Sequence, residues 1–330
     1  MKPVFVAIVN YRTGRLAVDC IASLADERAA LRGGRVVVVD NDSGDDSLAL
    51  LRAAVGERGW SGWVDVLTLP RNGGFAYGNN AAIAHVRKIC PDFATVVLLN
   101  PDTVARGGTV ARLVEHLERH PRAGIAGAAI EDGQGVRAVS AHAMPSPLGE
   151  LEAAARLGVL SRLLARHVVS PAPRAISHPC DWVSGACMAI RREVLDAVGP
   201  FDEGFFLYYE EVDFCRRAAR AGWSCWFVAD ARVVHFEGAA TGIKEARRRL
   251  PAYWFASRRR FFVKAYGVLG LLAADALWLL GRASLVARRA LGLGGRAGAS
   301  DEPIGVTRDL LAGDAKALLG GEVVRVARGH

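Results

Sequence analysis

An α/β fold, a mostly parallel sheet flanked by helices and followed by a C-terminal helical extension, is predicted by three features of this 330-residue chain. Its first half alternates apolar runs with helix-like stretches, the pattern of repeated strand–helix units with right-handed crossovers. Two of the runs, Val36-Val37-Val38-Val39 and Val96-Val97-Leu98-Leu99, are continuous, as in strands buried on both faces of a parallel sheet. Both end in acidic or amide residues, Asp40-Asn41-Asp42 and Asn100-Pro101-Asp102. Such sheets bind ligands beyond the carboxyl ends of their strands, so these acids are expected at one rim.

The elements follow in order. A strand over 4–9 leads to a helix near 15–31, and a strand over 35–40 to a helix near 45–57. A strand over 63–69 precedes a Gly-rich turn and a helix near 76–88. A strand over 94–99 is followed by a helix near 107–119 and a strand over 123–130. Residues 131–181, rich in Pro and Gly, read as an irregular excursion with one short helix near 150–166. Regular structure resumes with a strand near 184–190 and a helix near 191–197. A helix from Glu210 to Ala221 and strands over 224–229 and 231–235 close the domain. The expected division is a catalytic domain over 1–243 and a basic-aromatic, then apolar, extension over 244–330.

Hydrophobic residues make up 51% of the chain, enough for a core that needs no disulfide or structural metal. The six cysteines form no CxxC pair and no zinc spacing, and read as reduced thiols of a cytosolic protein. The run Pro3–Val9 is too short for a secretory signal and reads as the first strand. The net charge of +8 is local: eight cations against Glu245 alone lie between Lys244 and Lys264. Aromatic residues interleave with them, and a largely apolar run from Gly267 to Gly281 follows, broken by Asp275. That run is shorter than the roughly 20 residues of a spanning helix, so an interfacial membrane anchor is expected. The alternative is a helix packed on protein. Nucleic acid is not an expected partner, because no reader module accompanies the cations.

The candidate residues cluster at strand ends. Asp40 and Asp42 can accept from a base N–H or a ribose hydroxyl, while the alternative is structural, with Asp42 or Ser43 capping the next helix. Arg71 to Asn80 joins a strand to a helix, and its glycines permit close approach to an anion; the dinucleotide fingerprint is absent. Asp102 can hold Mg²⁺ or Mn²⁺, with diphosphate oxygens completing the shell, or can cap a helix. Glu210, Glu211 and Asp213 open a helix directly behind an aromatic loop. Acids there offset the helix dipole, but one of them can also be a general base. Glu211 is favoured, with Glu210 and Asp213 as rivals. His235 ends a strand as the acids do and is a candidate metal ligand. The other histidines gain no role.

Taken together, the pieces resemble the family 2 glycosyltransferases of the inverting type, in particular the rhamnosyltransferase-like branch. They are Ile8–Tyr11, Val38–Ser43, Asn72–Asn80, Leu98–Thr103, Trp182–Cys187, Gly199–Glu203, Glu210–Cys215 and Ala221–Trp223, spread over residues 3–265. Their order and number make the set specific. The resemblance implies a GT-A fold, a Rossmann-like sheet with a metal-assisted nucleotide-sugar site. It places Asp40 at the nucleoside, Asn72 and Asn79 along the nucleotide pocket, and Asp102 and His235 on the cation. Trp182, Ser184 and Gly185 fall by the donor sugar or the acceptor. The family's base is usually the second acid of a Glu-Asp pair; here that position is Glu211, one methylene longer.

The function so implied is transfer of a hexose or deoxyhexose, with inversion, from a nucleotide diphosphate sugar to a hydroxyl of a cell-surface glycan precursor. dTDP-L-rhamnose is the leading donor, and a lipid-linked glycan at the inner face of the plasma membrane the leading acceptor. A non-catalytic nucleotide-sugar-binding or scaffold protein would bind donor without turnover. A sugar nucleotidyltransferase would need a Lys-bearing Gly-rich loop, which Asn10-Tyr11-Arg12-Thr13-Gly14 does not supply.

Overall fold

The computed structural model describes residues 1–236, 249–293, 303–321, 323 and 326. Two compact units are present. The first comprises Met1–His142, Ala172–Phe206 and Glu210–Gly242; the second comprises Ala143–Pro171, Leu207–Tyr209 and Ile243–His330.

The first unit is built on one mixed sheet. The Val-rich runs form β1 (Val4–Asn10), β2 (Val36–Asp40), β3 (Val64–Thr68) and β4 (Thr95–Leu99), paired in parallel in the order β3-β2-β1-β4. Every residue of β1, β2 and β4 is buried. Alternation along β1 splits the core: Val4, Val6 and Ile8 pack with α1 (Gly14–Ser23), α2 (Ser47–Glu57) and α4 (Thr109–Arg119). Phe5 and Ala7 pack with α3 (Gly74–Ile89), α7 (Arg192–Val198) and α8 (Glu210–Arg220) on the other face.

Beyond β4 the sheet stops being parallel. The order continues through β10 (Cys187–Arg191), β6 (Ala123–Glu131), β11 (Ser224–His235) and β5 (Thr103–Ala105). β10 runs antiparallel to both β4 and β6, whereas β11 runs parallel to β6. The carboxyl ends of β1, β2, β4, β6 and β11 therefore share one rim, where β10 begins. β8 (His178–Cys180) adds antiparallel to β11, while β7 (Ala141–His142) and β9 (Trp182–Val183) form a small separate sheet.

Several boundaries differ from the sequence reading. The first helix ends at Ser23, and a 3-10 helix covers Ala25–Leu31. The two closing strands are one, β11, with an irregularity between Val228 and Arg232 that absorbs the polar Asp230. β5 was not expected, because three residues carry too little periodicity.

In the second unit, α5 (Pro147–Ala155) and α6 (Gly158–Leu163) replace the single expected helix. Ser146 caps α5, accepting from Gly149 N at 3.2 Å. Helix α9 spans Ala252–Ala290 but is broken at Gly267, with φ 72° and ψ −176°, a conformation reserved for glycine. The break reverses the chain. Arg258 and Asp275 would lie about 26 Å apart along a straight helix, yet Nη1 of Arg258 donates to Oδ1 of Asp275 at 2.9 Å. Arg258 also donates to Glu150 of α5, at 2.9 Å from Nη2. Asp314, on α10 (Val306–Leu319), accepts from Arg258 at 3.4 Å and from Arg259 at 2.6 Å. Five charges thus tie α5, both arms of α9 and α10 together.

This arrangement corrects one expectation. Arg258 and Arg259 are buried, as are Phe255, Phe261 and Phe262. These members of the basic-aromatic segment face the unit's interior rather than a surface patch. Arg249 pairs with Asp309, and Lys244, Glu245, Arg247 and Arg248 lie outside the described residues.

Candidate active site

The β2 end is organised by a buried polar network. Asn10 Nδ2 donates to Asp40 Oδ1 at 2.8 Å and to Ser43 Oγ at 3.1 Å. Ser43 Oγ donates to the same Asp40 oxygen at 2.6 Å, and Thr13 Oγ1 donates to Asn10 Oδ1 at 2.9 Å. Asp40 therefore holds the turn, and neither Asp42 nor Ser43 caps α2, whose N-cap position is Asp46. Oδ2 of Asp40 carries only a 3.3 Å bond from Ser43 N, so acceptor capacity remains there. Asp42 is exposed and adopts φ 59°, the left-handed region that a non-glycine residue occupies at a cost.

A buried amide that the sequence reading passed over joins this turn to the next. Asn41 Nδ2 donates to Asn72 Oδ1 at 3.1 Å and to Gly74 O at 3.0 Å. Asn72 Oδ1 also accepts from Gly74 N at 3.0 Å. Gly74 sits at φ 86°, and an added Cβ would meet Phe206 O at 1.9 Å, so only glycine fits. Asn79 is buried on α3 and donates to Phe75 O at 3.0 Å. Asn72 thus shapes the loop that opens α3, while Asn79 bonds within the first turns of the helix itself.

Asp102 and His235, 133 residues apart, meet because β11 pairs with β5 in the register His235↔Thr103. His235 Nε2 lies 3.1 Å from Asp102 Oδ1 and 3.4 Å from Asn100 Nδ2. Phe236 N donates to Asp102 O at 2.9 Å and fixes the strand end. No cluster of three or more His, Cys, Asp or Glu side chains that could hold a metal occurs among the described residues. One carboxylate and one imidazole at this spacing fit a Mg²⁺ or Mn²⁺ ion that takes its remaining ligands from a diphosphate and water.

Glu211 is linked to this rim through the start of β10. Asn100 N donates to Ala186 O at 2.9 Å, and a Cβ on the neighbouring Gly185 would lie 4.0 Å from Glu211 Cβ. Asp102 and Glu211 therefore stand on the same edge of the sheet. Burial pushes the Glu211 carboxyl up to about 7, against the lowering effect of the backbone N–H groups of Glu211, Gly185 and Val212. Burial, reinforced by the charge of Glu211, pushes Glu210 up as well. Oε2 of both glutamates is buried and accepts no hydrogen bond from the described residues. Asp213 differs: it is buried, and Arg217 Nε donates to it at 2.9 Å. Arg217 also donates to Val198 O and Pro200 O, so this acid is committed to holding the loop ahead of α8.

Trp182 is half-buried on β9 and stacks on His142 of β7, with ring centroids 4.0 Å apart and planes 12° apart. The sequence reading gave His142 no role, since its partner is 40 residues away. Ser184 Oγ accepts from Ala186 N at 3.3 Å and shapes the turn into β10.

The mixed sheet is that of the GT-A fold, and its strand ends gather acids, amides and an Asp–His pair. The chain belongs to the family 2 glycosyltransferases: residues 2–262 match the family described as glycosyltransferase like family 2. Its activity is glycosyl transfer from a nucleotide sugar. It is 32% identical over 251 residues to the N-acetylglucosaminyl-diphospho-decaprenol L-rhamnosyltransferase of Mycobacterium tuberculosis, covering 72% of this chain and 77% of that one. It is 25% identical to rhamnosyltransferase WbbL of Escherichia coli over 49% of this chain and 61% of that one. The fold is similar to that of a mannosyltransferase from Pyrobaculum calidifontis, solved with GDP-Man and Mn²⁺ (TM-score 0.56, 17% identity, 99% and 84% coverage). It is also similar to S. aureus TarS 1-349 (TM-score 0.54, 15% identity, 99% and 83% coverage).

Proposed function

We propose that the protein is an inverting glycosyltransferase that moves L-rhamnose from dTDP-L-rhamnose to a hydroxyl of a lipid-linked, cell-surface glycan precursor. The rhamnosyltransferase relatives support the sugar and the class of acceptor. The single observation that carries the reading is Glu211: a carboxylate with a raised pKa and a buried, unbonded oxygen, on the sheet edge that also carries the Asp102–His235 pair.

The acceptor hydroxyl gives its proton to Glu211 as its oxygen bonds to the anomeric carbon. The bond from that carbon to the diphosphate breaks on the opposite face, and the nucleotide diphosphate leaves. One displacement inverts the anomeric configuration and needs no glycosyl-enzyme intermediate. Asp102 and His235 would hold Mg²⁺ or Mn²⁺, which when bound offsets the negative charge of the diphosphate. Asp40 and Asp42, with Asn72 and Asn79, form the nucleotide side; Trp182, Ser184 and Gly185 border the sugar or the acceptor. The extension over 244–330 keeps the enzyme at the inner, cytoplasmic face of the plasma membrane.

A panel of nucleotide sugars with Mg²⁺ or Mn²⁺, scored for released nucleotide diphosphate, tests the donor. Glu211→Gln is expected to bind donor and lose turnover. Near-normal transfer by that variant removes Glu211 from the base role, and donor binding without turnover by the wild type favours a scaffold instead.

A further inference from the structure

We infer that the outward face of the second arm of α9, residues 268–290, is a lipid-contact surface that lies flat on an anionic bilayer. The inference deepens the membrane reading above and is independent of the donor and base assignments. The aromatic and arginine side chains buried on the first arm leave the contact to that face, most of which lies in the apolar run from Gly267 to Gly281 that the sequence offers as part of an interfacial anchor.

Every exposed residue from Leu269 to Ala290 is Leu, Val or Ala. Leu269, Leu272, Leu279, Leu280 and Val286 form a stripe with only alanines between them. The opposite face, with Leu271, Ala274, Asp275 and Leu285, is buried within its own unit. A helix on a water-facing surface normally carries polar residues outward. Of the nineteen large hydrophobic side chains exposed among the described residues, thirteen belong to this unit, so the apolar surface is concentrated here.

Charge selects the occupant. From Ala276 to Leu293 the chain carries Arg282, Arg288 and Arg289 and no acid. In the same unit, Arg156, Arg162 and Arg166 lie in a stretch, 153–171, that also has none. An apolar stripe flanked by arginine-bearing stretches without acids matches anionic headgroups over acyl chains. Two copies meeting through this face would bring like charges together. Orientation follows from burial: one side of the arm is covered by protein, and Asp275 interrupts its apolar run. The run from 268 to 281 is about 21 Å long, short of a roughly 30 Å hydrocarbon core.

The test is co-sedimentation of the full chain with phosphatidylcholine vesicles, with and without phosphatidylglycerol. Leu269 and Leu280 are 81% and 59% exposed, so Leu269→Gln/Leu280→Gln leaves the interior packing untouched. The wild type is expected to bind the anionic vesicles and to weaken in high salt. Each leucine contributes about tenfold in partition, so the double variant binds about 100-fold less tightly. Circular dichroism and donor turnover without lipid should match the wild type. Equal binding by variant and wild type overturns the inference, as does a wild type that ignores vesicles. A wild-type dimer dissolved by the same substitutions overturns it too, because the occupant is then a second copy. If vesicle binding behaves as expected while no nucleotide sugar is turned over, the enzymatic reading fails and the lipid surface stands.

Discussion

Glu211→Gln should stabilise the protein while abolishing its activity, and both effects depend on pH. Burial raises the carboxyl from an ordinary 4.5 to about 7, a shift worth about 3 kcal/mol at most for a side chain that is not fully shielded. Because the folded-state value is the higher one, the stabilisation is complete below pH 4.5. It is lost as pH rises through 7. Glutamine has no charge to desolvate, so the variant escapes that loss. Its amide places a donor where Oε2 has no partner, which returns about 1 kcal/mol of the gain. The variant should therefore exceed the wild type by about 1–2 kcal/mol at pH 8 and show no advantage at pH 4.5, read from urea denaturation. In the wild type, kcat/KM should fall about tenfold per pH unit below 7 as the base protonates. A variant that gains nothing at pH 8 relative to pH 4.5, together with a flat activity profile from pH 5.5 to 8, refutes the assignment.

Chelation with EDTA should abolish transfer and added Mn²⁺ or Mg²⁺ restore it, whereas Asp102→Asn should stay inactive at metal concentrations that rescue the wild type. Asn41→Ala removes the donor to Asn72 and Gly74 O, so the donor KM should rise about tenfold with stability lowered by about 1–3 kcal/mol, measured by steady-state kinetics and thermal melting. Arg258→Met leaves Asp275, Asp314 and Glu150 with Arg259 alone, and should cost about 3–5 kcal/mol in the second unit, seen as faster proteolysis between 249 and 321.

Strand direction and charge burial mark where the sequence stopped being legible. The acids at 40 and 102 could be placed on one rim because valine runs buried on both faces belong to parallel sheets, and the carboxyl ends follow. His235 could be placed there because it also ended a strand. Nothing in Cys187-Met188-Ala189-Ile190-Arg191 tells its direction, and β10 proved antiparallel. The arginines near 258 looked solvated because local charge density suggested a surface. Their partners Glu150, Asp275 and Asp314 lie 17 to 108 residues away, and Asp275 meets Arg258 only through the reversal at Gly267. Asn41 and His142 escaped notice for the same reason: amides and imidazoles gain roles through neighbours that the sequence does not name.

The acids that open α8 separate structural from functional explanations. All three sit where a helix dipole welcomes negative charge, worth about 0.3–1 kcal/mol each. For Asp213 that is explanation enough, since Arg217 neutralises it and spends its remaining donors on Val198 and Pro200. Among the described residues no cation pairs with Glu210 or Glu211, and burial raises both pKa values. For Glu211 the desolvation cost, about 3 kcal/mol, exceeds what the dipole returns. A chain shaped by stability alone would carry glutamine or alanine at 211. A carboxylate kept there against that cost fits the general-base role proposed above, which a pKa of about 7 would serve.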